Sequence, residues 1–281
     1  MWKPFNGRSD TTQPMPATEQ KGLDEKAQAF YRKSLDLLNA SGIPYMVGGA
    51  YAFARYTGIE RHTKDFDLFL KREDYDRIAS VLEDAGFKTD LTFPHWLGKA
   101  HHGEYYIDLI YGAGNGVSVV DELWFEHAVD GEVLQTRVKL VPAEEMIWSK
   151  AFIMERERYD GADVAHVLRD RSEQLDWHRL LFRFGHHWRV LLSHLTLFGF
   201  IYPGERSRIP GWLMQELTKR LETELNEPDA STAVCFGPMI SRGQYLDDTR
   251  NRSYGDARLE PLGGMTAEQI AHWTDAIERE E

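Results

Sequence analysis

The stretch MVGGAYAFARYTGIERHTKDFDLFL, residues 46–70, contains the clearest structural pattern of this chain. A short apolar run ends at two adjacent glycines, Gly48 and Gly49. About fifteen residues later, Asp65 and Asp67 lie one residue apart in an otherwise apolar segment. The pattern predicts a buried strand, a glycine turn into a helix, and a second strand that carries the two carboxylates.

The two aspartates are predicted to point to the same face of their strand, because residues i and i+2 share a face. Phe66 and Leu68 would then pack on the opposite face. Two carboxylates this close raise each other's pKa unless a cation lies between them. A divalent metal bound through carboxylate oxygens would resolve the repulsion. The alternative is an ordinary pair of polar residues at a sheet edge that faces water.

A third carboxylate, Asp108, lies in the middle of EYYIDLIYG, residues 104–112, which is otherwise almost wholly apolar. If this strand is the neighbour of residues 65–70, three carboxylates converge on one point. That arrangement is typical of a two-metal site for in-line phosphoryl or nucleotidyl displacement. The alternative for Asp108 is a buried ion pair with an arginine.

The glycine pair fits the same chemistry. A Gly-Gly turn between a strand and a helix exposes backbone N–H groups at the helix N-terminus, where phosphate oxygens bind favourably. Gly48 and Gly49 are therefore candidate phosphate contacts, although a plain turn would use the same residues.

The composition is that of a globular protein, with 42% hydrophobic and 12% aromatic residues in 281. The formal charge of −12 argues against non-specific binding of duplex nucleic acid but leaves open an RNA end held in a small site. The single cysteine, Cys235, excludes an internal disulfide, so we expect a reducing, cytoplasmic location. The N-terminal residues lack the apolar core of a signal peptide. The longest apolar segment, 190–203, is too short to span a bilayer, so we expect no membrane partner.

Periodicity and composition divide the chain into four parts. The predicted fold class is α/β (α+β), a small mixed-sheet domain followed by a mainly helical domain. The predicted parts are a flexible arm (1–20), a mixed-sheet domain (21–141), a helical domain (142–226), and a C-terminal extension with a short terminal helix (227–281).

Two local signals complete the prediction of structure. Asp130-Gly131, within residues 128–141, predicts a hairpin turn between two strand-like runs. Thr266 and Gln269 have the spacing of a capping box at the start of the last helix.

These residues together resemble the polymerase-β-type nucleotidyltransferase superfamily. The resemblance lies in the Gly-Gly turn, in RHTKDFD with its form Arg61-x-Thr63-x-Asp65-x-Asp67, and in the later isolated strand aspartate. Within the superfamily, the chain is most similar to minimal bacterial nucleotidyltransferases and to abortive-infection (AbiEii-like) nucleotidyltransferase toxins. Antibiotic nucleotidyltransferases are more distant relatives. The resemblance is strong over residues 43–112 and extends more weakly to about 170.

The resemblance implies a role for each motif residue. The paired aspartates, Asp65 and Asp67, would bind both metals. Asp108 would bind the catalytic metal and help to deprotonate the attacking hydroxyl. The implied nucleotide-binding residues are Gly48, Gly49, Arg61 and Thr63.

A later stretch, SKAFIMERERYDGADVAHVL, looks similar to the helix and Asp-containing motif that complete the site in the abortive-infection relatives. It suggests that Lys150 lies near the phosphates and that Asp160 or Asp163 gives polar support. The alternatives are a solvated lysine and two aspartates that cap the following helix.

The expected function is therefore Mg²⁺-dependent transfer of a nucleoside monophosphate from an NTP to a hydroxyl acceptor. Two Mg²⁺ ions are expected, with Mn²⁺ as an alternative, and 21–141 would be the catalytic domain. An RNA end, a protein or a small molecule would each serve as acceptor, and a toxin–antitoxin setting follows from the toxin resemblance. The alternative functions are a non-catalytic nucleotide-binding or antitoxin-like module and a Mg²⁺-dependent phosphohydrolase. The position of the Gly-Gly turn, before the paired aspartates, argues against the phosphohydrolase.

Overall fold

A seven-stranded mixed sheet forms the centre of the N-terminal half in the computed structural model, which describes residues 25–61, 65–228 and 233–276. The strand order is β3-β4-β5-β2-β1-β7-β6, and a separate two-stranded sheet pairs β8 with β9. The strands are β1 (Met46–Val47), β2 (Asp67–Phe69), β3 (Lys88–Phe93), β4 (Leu97–His102), β5 (Tyr105–Ile110), β6 (Val129–Val133), β7 (Thr136–Leu140), β8 (Val234–Cys235) and β9 (Gly255–Asp256).

Helices follow the first strands singly and then dominate the chain after β7. The helices are α1 (Glu25–Ser41), α2 (Gly49–Thr57), α3 (Tyr75–Asp84), α4 (Glu122–Glu126), α5 (Ala143–Ala151), α6 (Gly161–Arg171), α7 (Trp177–Phe184), α8 (Trp188–Ile201), α9 (Gly211–Glu224), α10 (Leu246–Asn251) and α11 (Ala267–Asp275). The predicted fold class, a mixed-sheet part followed by a mainly helical part, is confirmed.

Strand β2 forms because its side chains alternate between a fully buried face and the face that carries the Asp67 carboxylate. Phe66 and Leu68 are fully buried, and the Phe66 ring stacks on Tyr31 of α1 with 4.6 Å between centroids. On the other face, the Phe69 ring stacks on Trp124 of α4 at 5.5 Å. The aromatic contacts on both faces fix the strand that the sequence pattern predicts.

The predicted hairpin exists, but its predicted turn is wrong. The turn between β6 and β7 is made by Leu134 and Gln135, both with positive φ (49° and 65°). Gly131 lies inside β6, opposite Val138, where an added Cβ would come within 2.7 Å of the Leu140 side chain. The glycine therefore permits close packing within the hairpin and does not form its turn.

Strands β3 and β4 were not predicted. The side chains of β3 are exposed or half-buried along its length, so the sequence shows no apolar alternation there. The turn from β4 into β5 contains Gly103, whose φ is +65°. These two strands extend the sheet beyond β5 and, through β4, supply a residue to the candidate site.

An ion-pair network centred on the buried Glu145 joins the helical half to the start of α4 in the N-terminal half. Glu145 on α5 is fully buried and binds Arg179 and Arg183 of α7, with closest N–O distances of 2.7 and 3.0 Å. Arg183 also binds Asp121, at the N-cap of α4, through both terminal nitrogens, at 2.6 and 2.8 Å. The hydrophobic core is continuous from Ala27 to Leu217.

The C-terminal extension packs against segments from both halves. The backbone N–H of Met154 donates to the Ile240 oxygen at 3.0 Å, and the Asn115 side chain donates to the Met239 oxygen at 2.6 Å. The capping box predicted for Thr266 is confirmed at the start of α11. The predicted arm, 1–20, lies outside the described residues. Within the described ranges, no helix combines the length and apolar character needed to cross a membrane.

Candidate active site

The backbone places two of the three predicted carboxylates in register. Strands β2 and β5 pair in parallel, with Asp67 opposite Asp108. The Asp108 N–H donates to the Phe66 oxygen at 2.9 Å, which fixes this register one residue before Asp67. Asp65 precedes β2 and is exposed. The strand that carries Asp108 is therefore the neighbour of the strand that carries Asp67, as the predicted convergence of carboxylates requires.

The glycine turn lies directly against Asp67. The Gly48 N–H donates to the Asp67 backbone oxygen at 3.0 Å, which continues the β1–β2 ladder. Gly49 has φ +52°, and a Cβ there would be only 1.7 Å from Asp67 Oδ2. The site therefore requires glycine at position 49. Because the Gly48 N–H is used in the sheet, the N–H groups of Gly49 and the next residues of α2 are the ones left for an anion.

Burial and like charge raise the pKa of Asp67 to about 7. Desolvation is the largest cause, followed by the charges of Asp108 and Asp65. The pKa of Asp108 is also raised, chiefly by burial, with Lys99 opposing the shift. The three carboxylates therefore act on one another electrostatically.

Two residues from the β4–β5 pair donate hydrogen bonds to the carboxylates of Asp108 and Asp65. Lys99 lies opposite Asp108 in the ladder and donates to its Oδ1 at 2.5 Å. The Tyr106 hydroxyl donates to Asp65 Oδ1 at 2.6 Å, and this bond is the main cause of the raised pKa of Tyr106. The Lys99 ammonium lies 4.2 Å from the Tyr106 ring centroid.

The donor chemistry of this cluster fits a divalent metal, since Mg²⁺ prefers carboxylate oxygens and three mutually repelling carboxylates favour a cation. In residues 25–61, 65–228 and 233–276, however, no group of three or more His, Cys, Asp and Glu side chains is arranged to hold a metal. Instead, Lys99 and Tyr106 bond to Asp108 and Asp65. A metal shared by all three carboxylates would require these contacts to rearrange.

The later predicted residues form a second cluster. Lys150, on α5, lies 2.7 Å from Asp160 Oδ2 and 2.8 Å from Asp163 Oδ2. Asp163 also binds Arg61, at 2.5 Å. Asp160 occupies the N-cap position of α6, but its side chain makes no capping hydrogen bond and binds cations instead. Thr63, which the sequence assigned to nucleotide binding, lies outside the described residues.

Sequence reasoning missed three residues of this region, Lys99, Tyr106 and Arg158. Lys99 and Tyr106 reach the carboxylates through the β4–β5 pairing, and β4 carries no strand signal. Arg158 lies two residues before Asp160 and binds it. Arg158 could have been found from the sequence, because it lies in the same stretch as Lys150 and Asp160.

The three aspartates do not line either of two cavities found among the described residues. One, of about 430 Å³, lies along α1 between Ala29 and Ala40. The other, of about 300 Å³, lies between Trp148, the His186-His187 turn and Gly263. The carboxylates belong to neither cavity.

Residues 24–190, more than half of the chain, match the sequence model of a family described as "Uncharacterised nucleotidyltransferase". No curated protein sequence matches the chain.

Several solved structures are similar at low identity. The antibiotic-resistance factor ANT(2'')-Ia is 16% identical, with TM-score 0.44 over 61% of this chain and 98% of that one. The lincosamide antibiotic adenylyltransferase LnuA is 18% identical, with TM-score 0.36 over 52% and 96% of the two chains. An antigenic nucleotidyltransferase-like protein from Paracoccidioides brasiliensis is 15% identical, with TM-score 0.44 over 66% and 92%. The antibiotics named for the first two proteins describe those proteins and not this chain. The family match is what classifies this chain.

Proposed function

The chain belongs to the nucleotidyltransferase family whose sequence model matches residues 24–190, and from this premise we propose that it transfers a nucleoside monophosphate from an NTP to a hydroxyl acceptor. One observation carries the proposal. Asp67 and Asp108 lie opposite each other on neighbouring parallel strands, and Gly49, at the start of α2, leaves room for the Asp67 carboxylate. Carboxylates for a metal thus adjoin a helix N-terminus that suits a phosphate.

In the proposed reaction, the acceptor hydroxyl oxygen bonds to the α-phosphorus of the NTP. The bond from that phosphorus to the oxygen that bridges to the β-phosphate breaks, and pyrophosphate leaves with the electron pair. The hydroxyl proton passes to Asp108.

We propose Asp65, Asp67 and Asp108 as the ligands of two Mg²⁺ ions, with Mn²⁺ as a substitute. When bound, these ions would neutralise charge on the phosphate oxygens and lower the pKa of the attacking hydroxyl. The raised pKa of Asp67, caused by burial and then by its carboxylate neighbours, supports a cation at this position.

The nucleotide-binding residues in this proposal are Gly49, Arg61, Lys150 and Thr63, with Gly48 shaping the turn. Lys150 acts on Asp67 through space, since its charge lowers the Asp67 pKa against the effect of burial. Asp160 and Asp163 hold Lys150 between them. They would support the site by fixing the lysine near the phosphates.

We also propose the division into a catalytic domain (21–141), a helical domain (142–226) that forms the other wall of the cleft, and an extension (227–281). The position of Lys150 on α5 supports this, because the first helix of the helical domain would then supply the site with a cation. The single cysteine, Cys235, is unpaired, in keeping with the cytoplasmic location that we propose.

Three acceptor classes follow from this chemistry. The relationship to abortive-infection toxins that we propose would make an RNA end the acceptor, in a toxin–antitoxin pair. A protein hydroxyl and a small hydroxylated molecule are the other two classes. All three present a hydroxyl oxygen to the same α-phosphorus.

The test is incubation of the purified protein with each α-³²P-NTP, Mg²⁺, and either total cellular RNA, protein extract or a panel of hydroxylated small molecules. We expect label in one acceptor class, lost on omission of metal and in Asp67→Asn and Asp108→Asn, but retained in the surface control Asp84→Asn. Transfer that survives Asp67→Asn would contradict the assignment. Nucleotide binding with no transfer to any acceptor would favour the non-catalytic alternative.

A further inference from the structure

Five charged side chains form an unbroken series of ion pairs, and two of its cations act electrostatically on Asp67. In order they are Arg61, Asp163, Lys150, Asp160 and Arg158. The successive closest distances are 2.5, 2.8, 2.7 and 3.0 Å. Arg61 comes from the loop after α2, Lys150 from α5, Arg158 and Asp160 from the segment between α5 and α6, and Asp163 from the first turn of α6. The ion pairs therefore join the loop after α2 to the α5–α6 region, which is distant in sequence.

The two aspartates in this series of ion pairs are buried, and two of its three cations are partly open to solvent. The Asp160 and Asp163 side chains are 10% and 6% exposed. The Arg158 side chain is 65% exposed and Arg61 is 43% exposed, whereas Lys150 is 17% exposed. With three cations for two carboxylates, the cluster has one positive charge in excess and presents it outward.

Arg158 is held in a fixed orientation. Its Nε donates to Asp160 Oδ1 and its Nη2 donates to Asp160 Oδ2, both at 3.0 Å. Burial alone would raise the pKa of Asp160, but the bonds from Arg158 and Lys150 outweigh it and lower that pKa. Because this bidentate pair uses one side of the guanidinium, the remaining N–H groups are oriented for a second anion.

The same cations are close enough to act on the candidate metal ligands. Lys150 and then Arg158 lower the pKa of Asp67, and Asp67 in turn raises the pKa of Arg158. Lys150 has the larger effect on Asp67, and its side chain is 17% exposed against 65% for Arg158. Arg158 is therefore the more accessible of the two cations for phosphate groups that extend from the carboxylates toward solvent.

We propose that Arg158 binds the β- and γ-phosphates of the NTP and the pyrophosphate that leaves, and that Asp160 positions it. This rests on the proposed function for the direction of the phosphates, but polyphosphate binding by Arg158 can be measured without any transfer. A guanidinium suits this role because its N–H groups match phosphate oxygens in pairs. An outer cation on the terminal phosphates would also make the site prefer triphosphates to monophosphates.

The chain offers a matched control two residues away. Arg156 lies in the same segment, is 82% exposed, and contacts only the exposed Glu157, at 3.5 Å, among the ion pairs of the described residues. Arg158→Gln and Arg156→Gln therefore remove the same charge from the same loop. Only the first removes a cation held beside the site.

Binding of inorganic pyrophosphate in Mg²⁺ buffer, measured by calorimetry, tests the proposal. Loss of one charge-assisted bidentate contact should weaken binding by roughly 10–100-fold in Arg158→Gln. Arg156→Gln should stay within about twofold of the wild type. The ratio of the Kd for AMP to that for ATP should fall in Arg158→Gln, because AMP lacks the phosphates that Arg158 would contact.

Equal pyrophosphate binding by Arg158→Gln and the wild type, or an unchanged AMP to ATP ratio, would overturn the proposal even if the wild type transfers nucleotides. Conversely, Arg158-dependent pyrophosphate binding without transfer to any acceptor would uphold this proposal and contradict the proposed function. If Arg158→Gln does not fold, pyrophosphate binding by Arg158→Lys tests the proposal instead. This variant keeps the charge without the paired donors, so an intermediate pyrophosphate affinity supports the role and an unchanged one opposes it.

Discussion

Replacing Asp67 by asparagine should make the metal-free protein more stable while removing its activity. Burial, and then the charges of Asp108 and Asp65, raise the pKa of Asp67 from 3.8 to about 7. Below about pH 4 the carboxyl is protonated in both the folded and the unfolded chain. As the pH rises from there to about 7, the unfolded chain loses this proton first, so stability falls. Above about pH 7 the folded protein bears the full free-energy cost of the ionised Asp67 carboxylate, and an uncharged asparagine does not bear this cost.

The magnitude follows from the size of the shift. A rise from 3.8 to about 7 spans about three pH units. At about 1.4 kcal/mol each, the ceiling is roughly 4 kcal/mol. Asparagine still buries a polar group beside Gly49 and two charged neighbours remain, so we expect a net gain of about 1–2 kcal/mol. For a chain of this size that corresponds to a Tm higher by roughly 2–8 °C.

The assay is thermal unfolding followed by circular dichroism in EDTA buffer, from about pH 4.5 to about pH 8.5. The stability of Asp67→Asn relative to the wild type should be lowest at the acid end, rise with pH, and level off above about pH 7. Adding Mg²⁺ should stabilise the wild type in proportion to its binding and the variant much less, which reduces or reverses the difference. The exposed control, Asp84→Asn, should follow the wild type throughout.

A variant that is less stable than the wild type at high pH without metal would refute this reasoning. So would a difference that does not change with pH, because it would mean that the carboxyl of Asp67 does not carry the electrostatic cost.

Three further substitutions test other parts of the structure. Gly49→Ala would place a Cβ 1.7 Å from a carboxylate oxygen, so it should abolish transfer and Mn²⁺ binding. The control is Gly58→Ala, at a glycine with φ +69° and no atom within 4 Å of the added Cβ. It should cost only about 1–2 kcal/mol in unfolding experiments and keep activity. Lys99→Met removes the cation that holds Asp108, so Mn²⁺ measured by electron paramagnetic resonance should bind roughly 3–10-fold more tightly, and unchanged or weaker binding would contradict the competition. Glu145→Ala leaves two buried guanidinium groups short of a partner, so chemical unfolding should give a loss of about 3–5 kcal/mol, and a loss below about 1 kcal/mol would mean that the network contributes little.

Part of the fold is predictable because its signals are local. The glycine turn, the apolar alternation around Asp67, and the isolated Asp108 each lie within about ten residues of sequence. They predict three strands and a helix, and the sheet then pairs Asp67 with Asp108. The capping box at Thr266 is equally local and is found in the structure.

The missed features depend on contacts between distant segments or on a misleading local signal. Lys99 meets Asp108 only through the register of β4 against β5, and β4 has no alternation that would identify it. Asp130-Gly131 has the composition of a turn, but Gly131 is needed inside a strand, where Leu140 packs over it. The actual turn uses two residues with side chains at positive φ, which a propensity argument does not select.

The buried ion network explains how a helical half can take part in a site built on a sheet. Lys150 belongs to the same helix as Glu145, which is fully buried and bound by Arg179 and Arg183. Arg183 also binds Asp121, which follows the sheet strand that carries one of the carboxylates. Breaking one partner of a buried pair is costly, so these contacts restrict rotation and sliding of the helix. In the proposed site, Lys150, about one and a half turns after Glu145, would therefore approach Asp67 from a fixed direction, which a cation on an isolated surface helix would not achieve.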